Sequence, residues 1–426
     1  MKQATVLIVP LAAVLTLAAA PGQAQTSASG SARTTVSRTG DPTHFAFRGT
    51  GYGTRVVGGQ VPGGSETTAH AVIGCTNRSG VRHTNDVAQV ALPGVGTAYG
   101  IHTRLRTTEH DGVTASQGRH SIASIALASS PLGSLTVDAI TSQVRAFHDV
   151  HGFHATTATT VGSLSLTPPG GGTAQTFPAP TPDQPVDIPG LATIYAGQTR
   201  TSRSSTGAVA DAYALRIDVA ATGSSIRVGH SHAEIHGGLL RGIFGGHSAG
   251  THVTTALDGT AESGPNPLSV MPCQGTYGSV HRQALAHLDL GGQLVVRGAT
   301  ASERASQTAA RAYGYERGSI AHVDLGGGRL VIDGIVGQAT VTRSRDGVRR
   351  SARGTELGTI TVNGATQRFP ATGALVVPGV AELERHLVTR SASGITVVSL
   401  RITLLDGTGG VVDLGVASMR IRPLGR

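Results

Sequence analysis

The chain has 426 residues, 60 of them glycine, with 39% apolar, 14% charged and 3% aromatic residues and no tryptophan. That composition excludes a largely disordered chain and leaves room for two domains, or one large one, with a core of Val, Leu, Ile and Ala. Its formal net charge of +9 is uneven: from Cys273 onward 18 arginines face 11 acids, while the part before it is close to neutral, so anionic partners are expected mainly for the C-terminal half.

The first 25 residues read as a secretory signal peptide. Lys2, the only lysine, precedes an apolar run from Ala4 to Ala20, and small residues follow with a cleavage point at Ala24 or Gln25. No basic stop-transfer cluster follows the run, so no permanent membrane anchor is expected once the signal is removed. Residues 26–43 are rich in Ser, Thr and Gly and read as a flexible leader.

From there the chain is written twice. GTGYGTRV (49–56) matches GHSAGTHV (246–253), and Cys75 matches Cys273, 198 residues on. LTVDAITSQ (135–143) matches LVIDGIVGQ (330–338), VGSLSL (161–166) matches LGTITV (357–362), TFPA (176–179) matches RFPA (368–371), and DIPG (187–190) matches VVPG (376–379). The order is kept throughout, which gives a first copy over 44–238 and a second over 242–426. Segments rich in Val, Ile, Thr and Leu, split by Asp-Gly and Gly-Gly pairs, predict strands along both copies. The one helix-like stretch, SERASQTAARAYGYERG (302–318), corresponds to a segment of the first copy with a hairpin Asp-Gly, and it too reads as strands. The expectation is an all-β protein of two tandem homologous units, each an antiparallel β-sandwich or barrel-like; an inner echo in the second copy makes a β-solenoid the alternative.

Cys75 and Cys273 stand at equivalent places in an exported chain, which favours a disulfide between them over two buried thiols. A metal site on two cysteines alone is not expected, and no cofactor is.

Four segments offer chemistry. Gly246-His247-Ser248-Ala249-Gly250 fits the G-x-S-x-G nucleophile elbow, but the residues after it do not read as the helix that an elbow requires, and Ser248 corresponds to Gly51 in the first copy. A serine hydrolase is therefore the least favoured reading, and the chain is expected not to be an enzyme. His148, His151 and His154 fall around a turn and read as a solvated hairpin tip. His230, His232 and His236 share a strand face by their even spacing and are weak metal candidates in what also reads as a linker. RSRDGVRRSAR (343–353) carries Arg343, Arg345, Arg349, Arg350 and Arg353 around an Asp-Gly turn and is the expected docking point for an anionic polymer. No aromatic residue interleaves with it, so specific nucleic-acid binding is not expected.

GTGYGT (49–54), IGCT (73–76), VAQVALPG (87–94), LTVDAI (135–140) and DIPG (187–190) together resemble the choice-of-anchor P family of secreted actinobacterial proteins. The resemblance runs through both copies and implies an exported all-β surface protein without assigned chemistry. The chain ends MRIRPLGR, without LPxTG and an apolar tail, so covalent wall anchoring is not expected. The reading is a secreted, non-catalytic β-protein of the cell envelope or medium, structural or adhesive. The alternative is a wall-polymer or carbohydrate-binding protein acting through the arginine hairpin, with cell-wall or other anionic polysaccharide as partner.

Overall fold

Long runs of β-branched and small residues, broken by Gly-containing turns, form strands almost everywhere. The computed structural model describes residues 33–37, 40–58, 67–92, 95–127, 132–254, 263–290, 294–405, 407 and 409–425. The expected signal peptide lies outside them. Among the described residues there are 28 strands and no helix, hence no helix long and apolar enough to cross a membrane.

Sequence up to His236 supplies β1 (Arg33–Ser37), β2 (Pro42–Gly58), β3 (Ala71–Arg78), β4 (Arg82–Leu92), β5 (Gly96–His110), β6 (Val113–Leu127), β7 (Ser134–Asp149) and β8 (Gly152–Thr160). It continues with β9 (Leu164–Thr167), β10 (Gln175–Phe177), β11 (Val186–Ile188), β12 (Ala192–Ala196), β13 (Thr199–Ser204), β14 (Gly207–Val219) and β15 (Ser224–His236). The later sequence supplies β16 (Ile243–Thr254), β17 (Ser263–Val270), β18 (His281–Leu290), β19 (Leu294–Gln307), β20 (Ala312–Leu325), β21 (Leu330–Ser344) and β22 (Gly347–Ser351). It ends with β23 (Glu356–Val362), β24 (Ala365–Gln367), β25 (Leu375–Val377), β26 (Ala381–Arg390), β27 (Gly394–Leu404) and β28 (Val411–Arg422).

These strands make four antiparallel sheets. Sheet A runs β1-β4-β5-β6-β7-β9-β10 with β8 beside β7, and sheet B runs β11-β12-β14-β15-β2-β3 with β13 beside β14. Sheet C runs β17-β16-β28-β27-β26-β25, and sheet D runs β18-β19-β20-β21-β23-β24 with β22 beside β21. Sheet A stacks on B and sheet D on C, and none closes on itself, so each copy is a sandwich rather than a barrel, and the chain is not a solenoid. Apart from β1, which has no counterpart among the described residues, and β12 and β13, which correspond to the single β26, the duplication in sequence is a duplication in topology. One expectation needs amending: within the 26–43 leader, Arg33–Ser37 form β1, which pairs with Arg82–Asp86 of β4, and β2 already begins at Pro42.

Each sheet is creased along one line, and the repeated motifs mark that line. In sheet A the residues Ala88, Gly100, Ala123 and Ala139 stand opposite one another and interrupt the pairing; Gly100 and Ala139 have φ of 58° and 52°. Ala286, Gly298, Ala321 and Gly334 do the same in sheet D. In sheet C the line is Gly250, Gly415, Ser399 and His386. Strand alternation slips there: the buried residues of β21 run Leu330, Ile332, then Ile335 and Ala339, a step of three in a period of two. In sheet C the line comes close to the facing sheet: a Cβ on Gly337 of β21 would sit 1.7 Å from the carbonyl oxygen of Gly415. The crease divides each core into a Leu/Ile/Val half, with Ile101, Ile140 and Leu215 in the first copy, and a smaller half around Phe47 or Phe244.

The copies are joined by the expected disulfide: Cys75 on β3 and Cys273 after β17 are bonded, with Cα atoms 5.3 Å apart. Around it Ala46 and Ile243 are buried, with Leu239 and Leu424 packed on them. Gln307, at the end of β19, accepts the backbone N–H groups of Leu240, Arg241 and Gly242 at 3.1, 2.9 and 3.2 Å, and its amide donates to the Gln274 carbonyl at 3.2 Å. The Arg422 guanidinium reaches back to the Cys75 carbonyl.

Candidate anion-binding face

Five arginines that are scattered in sequence meet on the outer face of sheet A. Directly opposed residues of neighbouring antiparallel strands share a face. Arg82 on β4 stands opposite Arg106 on β5, and Arg104 on β5 opposite Arg119 on β6. Gln117 joins Arg106 to Arg145 on β7, and Arg119 is followed by Gln143. With strands about 4.8 Å apart and same-face residues about 6.8 Å apart, the cluster covers about 15 by 7 Å. Arg104, Arg106, Arg119 and Arg145, together with Gln117, Gln143 and Thr156, line an open groove of about 390 Å³, and no lining residue is acidic. The nearest carboxylate on that face, Asp86, is taken by His102 at 2.8 Å.

The arginines are positioned but not neutralised. Arg106 Nε donates to Gln117 Oε1 at 2.7 Å, and the Arg145 guanidinium lies 4.4 Å over the Phe147 ring. Arg145 Nε is buried without a hydrogen-bond partner. Repulsion from Arg82 above all, then slight burial, Arg106 and Arg119, lowers the pKa of Arg104 from its ordinary value. Like charges set directly opposite in a sheet destabilise it. Two such pairs beside a groove without acidic lining are a standing cost that a bound anion would remove.

The hairpin singled out in sequence does not form a comparable surface. Arg343 and Arg350 turn to the side that carries Val341 and Val348: Arg343 Nε donates to the Ile421 carbonyl at 3.0 Å, and Arg350 bonds the Ala392 carbonyl. Arg349 stands opposite Thr342 on the other face, Arg345 lies in the turn, and Arg353 is exposed beyond β22. The five are thus divided between two faces and a turn.

Ser248 lies in the interior of β16, wholly buried, and donates to the Ser302 carbonyl at 3.2 Å. The glycines around it have packing reasons. A Cβ on Gly246 would meet the Ser418 carbonyl at 2.1 Å, and one on Gly250 would meet Ala299 at 2.8 Å, on the crease. The strand–turn–helix of a nucleophile elbow is not what surrounds this serine.

His230, His232 and His236 do share the outer face of sheet B, but as members of an ion-pair row. His230 Nε2 and His232 Nδ1 contact Asp211 Oδ2 at 3.0 and 2.9 Å, His232 Nε2 contacts Glu234 Oε1 at 2.7 Å, and His236 lies 3.6 Å from Glu234 Oε2. Arg48 adds a contact to Glu234 at 3.8 Å, and Tyr52 stacks on His230. Burial pulls the His232 pKa down, but the hydrogen bonds to Asp211 and Glu234 outweigh it and raise it to about 9. Burial works against both carboxylates too, and their histidine partners nevertheless hold them well below the usual range. Among the described residues no group of three or more His, Cys, Asp or Glu is arranged to hold a metal ion. His148, His151 and His154 lie at the β7–β8 hairpin, where His154 pairs with Asp149 at 3.1 Å.

Sequence reasoning missed the arginine face because it looked for density along the chain. The signal that could have found it is the R-x-R step of Arg104 and Arg106, which puts two arginines on one face of a strand. Family models and curated protein sequences yield no match to this chain.

Proposed function

We propose that this is a secreted, non-catalytic β-protein of the cell envelope or medium, structural or adhesive in role, that holds anionic polymer on the arginine face of sheet A. The observation that carries the reading is the pair of directly opposed arginines, Arg82/Arg106 and Arg104/Arg119, on a face whose groove has no acidic lining. Arginine forks match carboxylate and phosphate groups, and an open groove across several strands suits a chain-like ligand rather than a small enclosed one. The ligand class is a cell-wall or other anionic polysaccharide. Export is supported by the signal-like first 25 residues and by a disulfide, which persists in oxidising compartments. The resemblance to choice-of-anchor P proteins supports the same setting.

The test is co-sedimentation of the mature protein with insoluble bacterial cell wall at low and high salt. Retention is expected at low salt and its loss at high salt, since exposed charges are screened. Arg104→Gln/Arg106→Gln/Arg119→Gln should weaken retention at least about tenfold. Arg345→Gln/Arg349→Gln/Arg353→Gln should leave it unchanged. Equal retention by the first variant and wild type, or loss only in the hairpin variant, overturns the assignment of the face.

A further inference from the structure

The duplication carries the arginine face of sheet A into sheet D, in altered form. Gln143 and Gln338 end the matched strings LTVDAITSQ and LVIDGIVGQ, and each stands opposite an arginine, Arg119 on β6 and Arg317 on β20. Arg119 and Arg317 are 198 residues apart, the separation of the two cysteines. At the same offset, Arg104 opposite Arg119 becomes Ser302 opposite Arg317, and Arg106 opposite Gln117 becomes Arg304 opposite Tyr315. Thr84, the β4 partner of Arg104, becomes Arg282, the β18 partner of Ser302. β19 buries Ala301, Glu303 and Ala305, which turns Ser302 and Arg304 to the outer face. Arg282, Arg304 and Arg317 therefore gather on that face, all three exposed, and sheet spacings set them about 8 to 10 Å apart.

What separates the two faces is aromatic. Tyr313 and Tyr315 alternate onto the outer face of β20, half-buried, where β6 has Ala115 and Gln117. Tyr315 stands between Arg304, opposite it on β19, and Arg317, two residues further along β20. Arg304 is fixed by its inner nitrogen: Nε donates to the Gly278 carbonyl at 2.7 Å, and the two terminal nitrogens carry the remaining donors. Arg311 lies 5.3 Å over the Tyr313 ring. Ser302, Gln338, Thr340 and Thr342 complete these rows, with no carboxylate among them; Glu356, on the same side, stands opposite Val336 and two strands from Arg317. An aromatic face is negative at its centre and packs against the C–H side of a sugar ring. Arginine forks on either side then suit the carboxylate, sulfate or phosphate groups that such a ring carries.

We propose that sheet D carries a second binding site, for the charged sugar units of an anionic polysaccharide, built on Arg282, Arg304, Arg317 and Tyr315. Its ligand class rests on the reading given for sheet A, but the site stands on its own residues. The test is calorimetric titration of the full mature chain at low salt with a heparin-derived hexasaccharide and with a linear polyphosphate of similar charge, which has no sugar ring. Two hexasaccharides per chain are expected. Arg282→Gln/Arg304→Gln/Arg317→Gln should leave one, and so should the sheet A variant Arg104→Gln/Arg106→Gln/Arg119→Gln, each with the far-UV circular dichroism and melting midpoint of the wild type. In the sheet A variant, where only the sheet D site is left, adding Tyr315→Leu should weaken the hexasaccharide about fivefold and leave polyphosphate unchanged. One hexasaccharide per chain, lost only in the sheet A variant, overturns the second site and leaves the first. One lost only in the sheet D variant supports the second site and overturns the assignment of sheet A, and no binding overturns both. Tyr315→Leu without effect, or with an equal loss for polyphosphate, overturns the sugar as the ligand.

Discussion

Glu316 offers the sharpest test of how the second copy is packed. Glu303 on β19 stands opposite Glu316 on β20, 3% and 0% exposed, where the first copy sets Leu105 opposite Gly118. Neither oxygen of Glu316 has a hydrogen-bond partner; the nearby Ser248 hydroxyl is committed to the Ser302 carbonyl. Burial first, and the facing Glu303 second, raise the Glu316 pKa well above the carboxylate range, with Ser248 and the Met271 N–H opposing. A carboxyl that holds its proton more tightly when folded contributes stability that is full below its unfolded pKa and is lost as pH rises through the folded one. While Glu316 keeps its proton, each pH unit above about 4.5 removes about 1.4 kcal/mol. The loss begins in a window below the range where His232 contributes a slope. Glu316→Gln has nearly the same shape and no titration. Urea unfolding followed by circular dichroism at about pH 5 and pH 6.5 should show the wild type losing more stability than the variant, by at most about 1.4 kcal/mol per pH unit. Parallel losses in the two proteins would refute the buried, protonated carboxyl.

Other outcomes follow from the same structure. Because the Cys75–Cys273 bond closes a span of 198 residues, Cys75→Ser/Cys273→Ser should destabilise the joined copies by up to about 5 kcal/mol, read by calorimetry beside the wild type with and without reductant. Gln307→Ala leaves the N–H groups of residues 240–242 without their acceptor and should cost about 2 kcal/mol, with faster proteolytic cleavage at 239–242 as the local readout. His232 has its pKa raised from 6.5 to about 9, so its stabilisation is complete below pH 6.5 and lost as pH rises through about 9; His232→Gln should remove about 3 kcal/mol of that alkaline loss from the unfolding profile. Ser248 should take no label from a fluorophosphonate, since its hydroxyl is buried and bonded; labelling that disappears in Ser248→Ala would restore the hydrolase reading.

How much was legible can be argued from particular residues. The strands of LTVDAITSQ and LVIDGIVGQ were readable from β-branched content, and so was their equivalence. The crease was not, although its residues, Ala139 and Gly334, sit in those very strings with φ of 52° and 73°. A small residue in a strand can mean a turn, a bulge or a close approach, and only the neighbouring strands show which. The glycines of GHSAG are explained in the same way: Gly250 is small because Ala299 lies against it from the facing sheet.

By itself the sequence determined the all-β class, the duplication and the pairing of Cys75 with Cys273, because these rest on local propensity, on order along the chain and on a residue type that occurs twice. The tertiary structure decided which arginines meet. Arg82, Arg104, Arg106, Arg119 and Arg145 are spread over four strands, and pairing gathers them on one face within about 15 by 7 Å, whereas the crowded Arg343–Arg353 run is divided by strand alternation and by carbonyls that hold Arg343 and Arg350. Charge density along a chain becomes charge density on a surface only through the register of the sheet, and that register is set by the cores on either side of the crease.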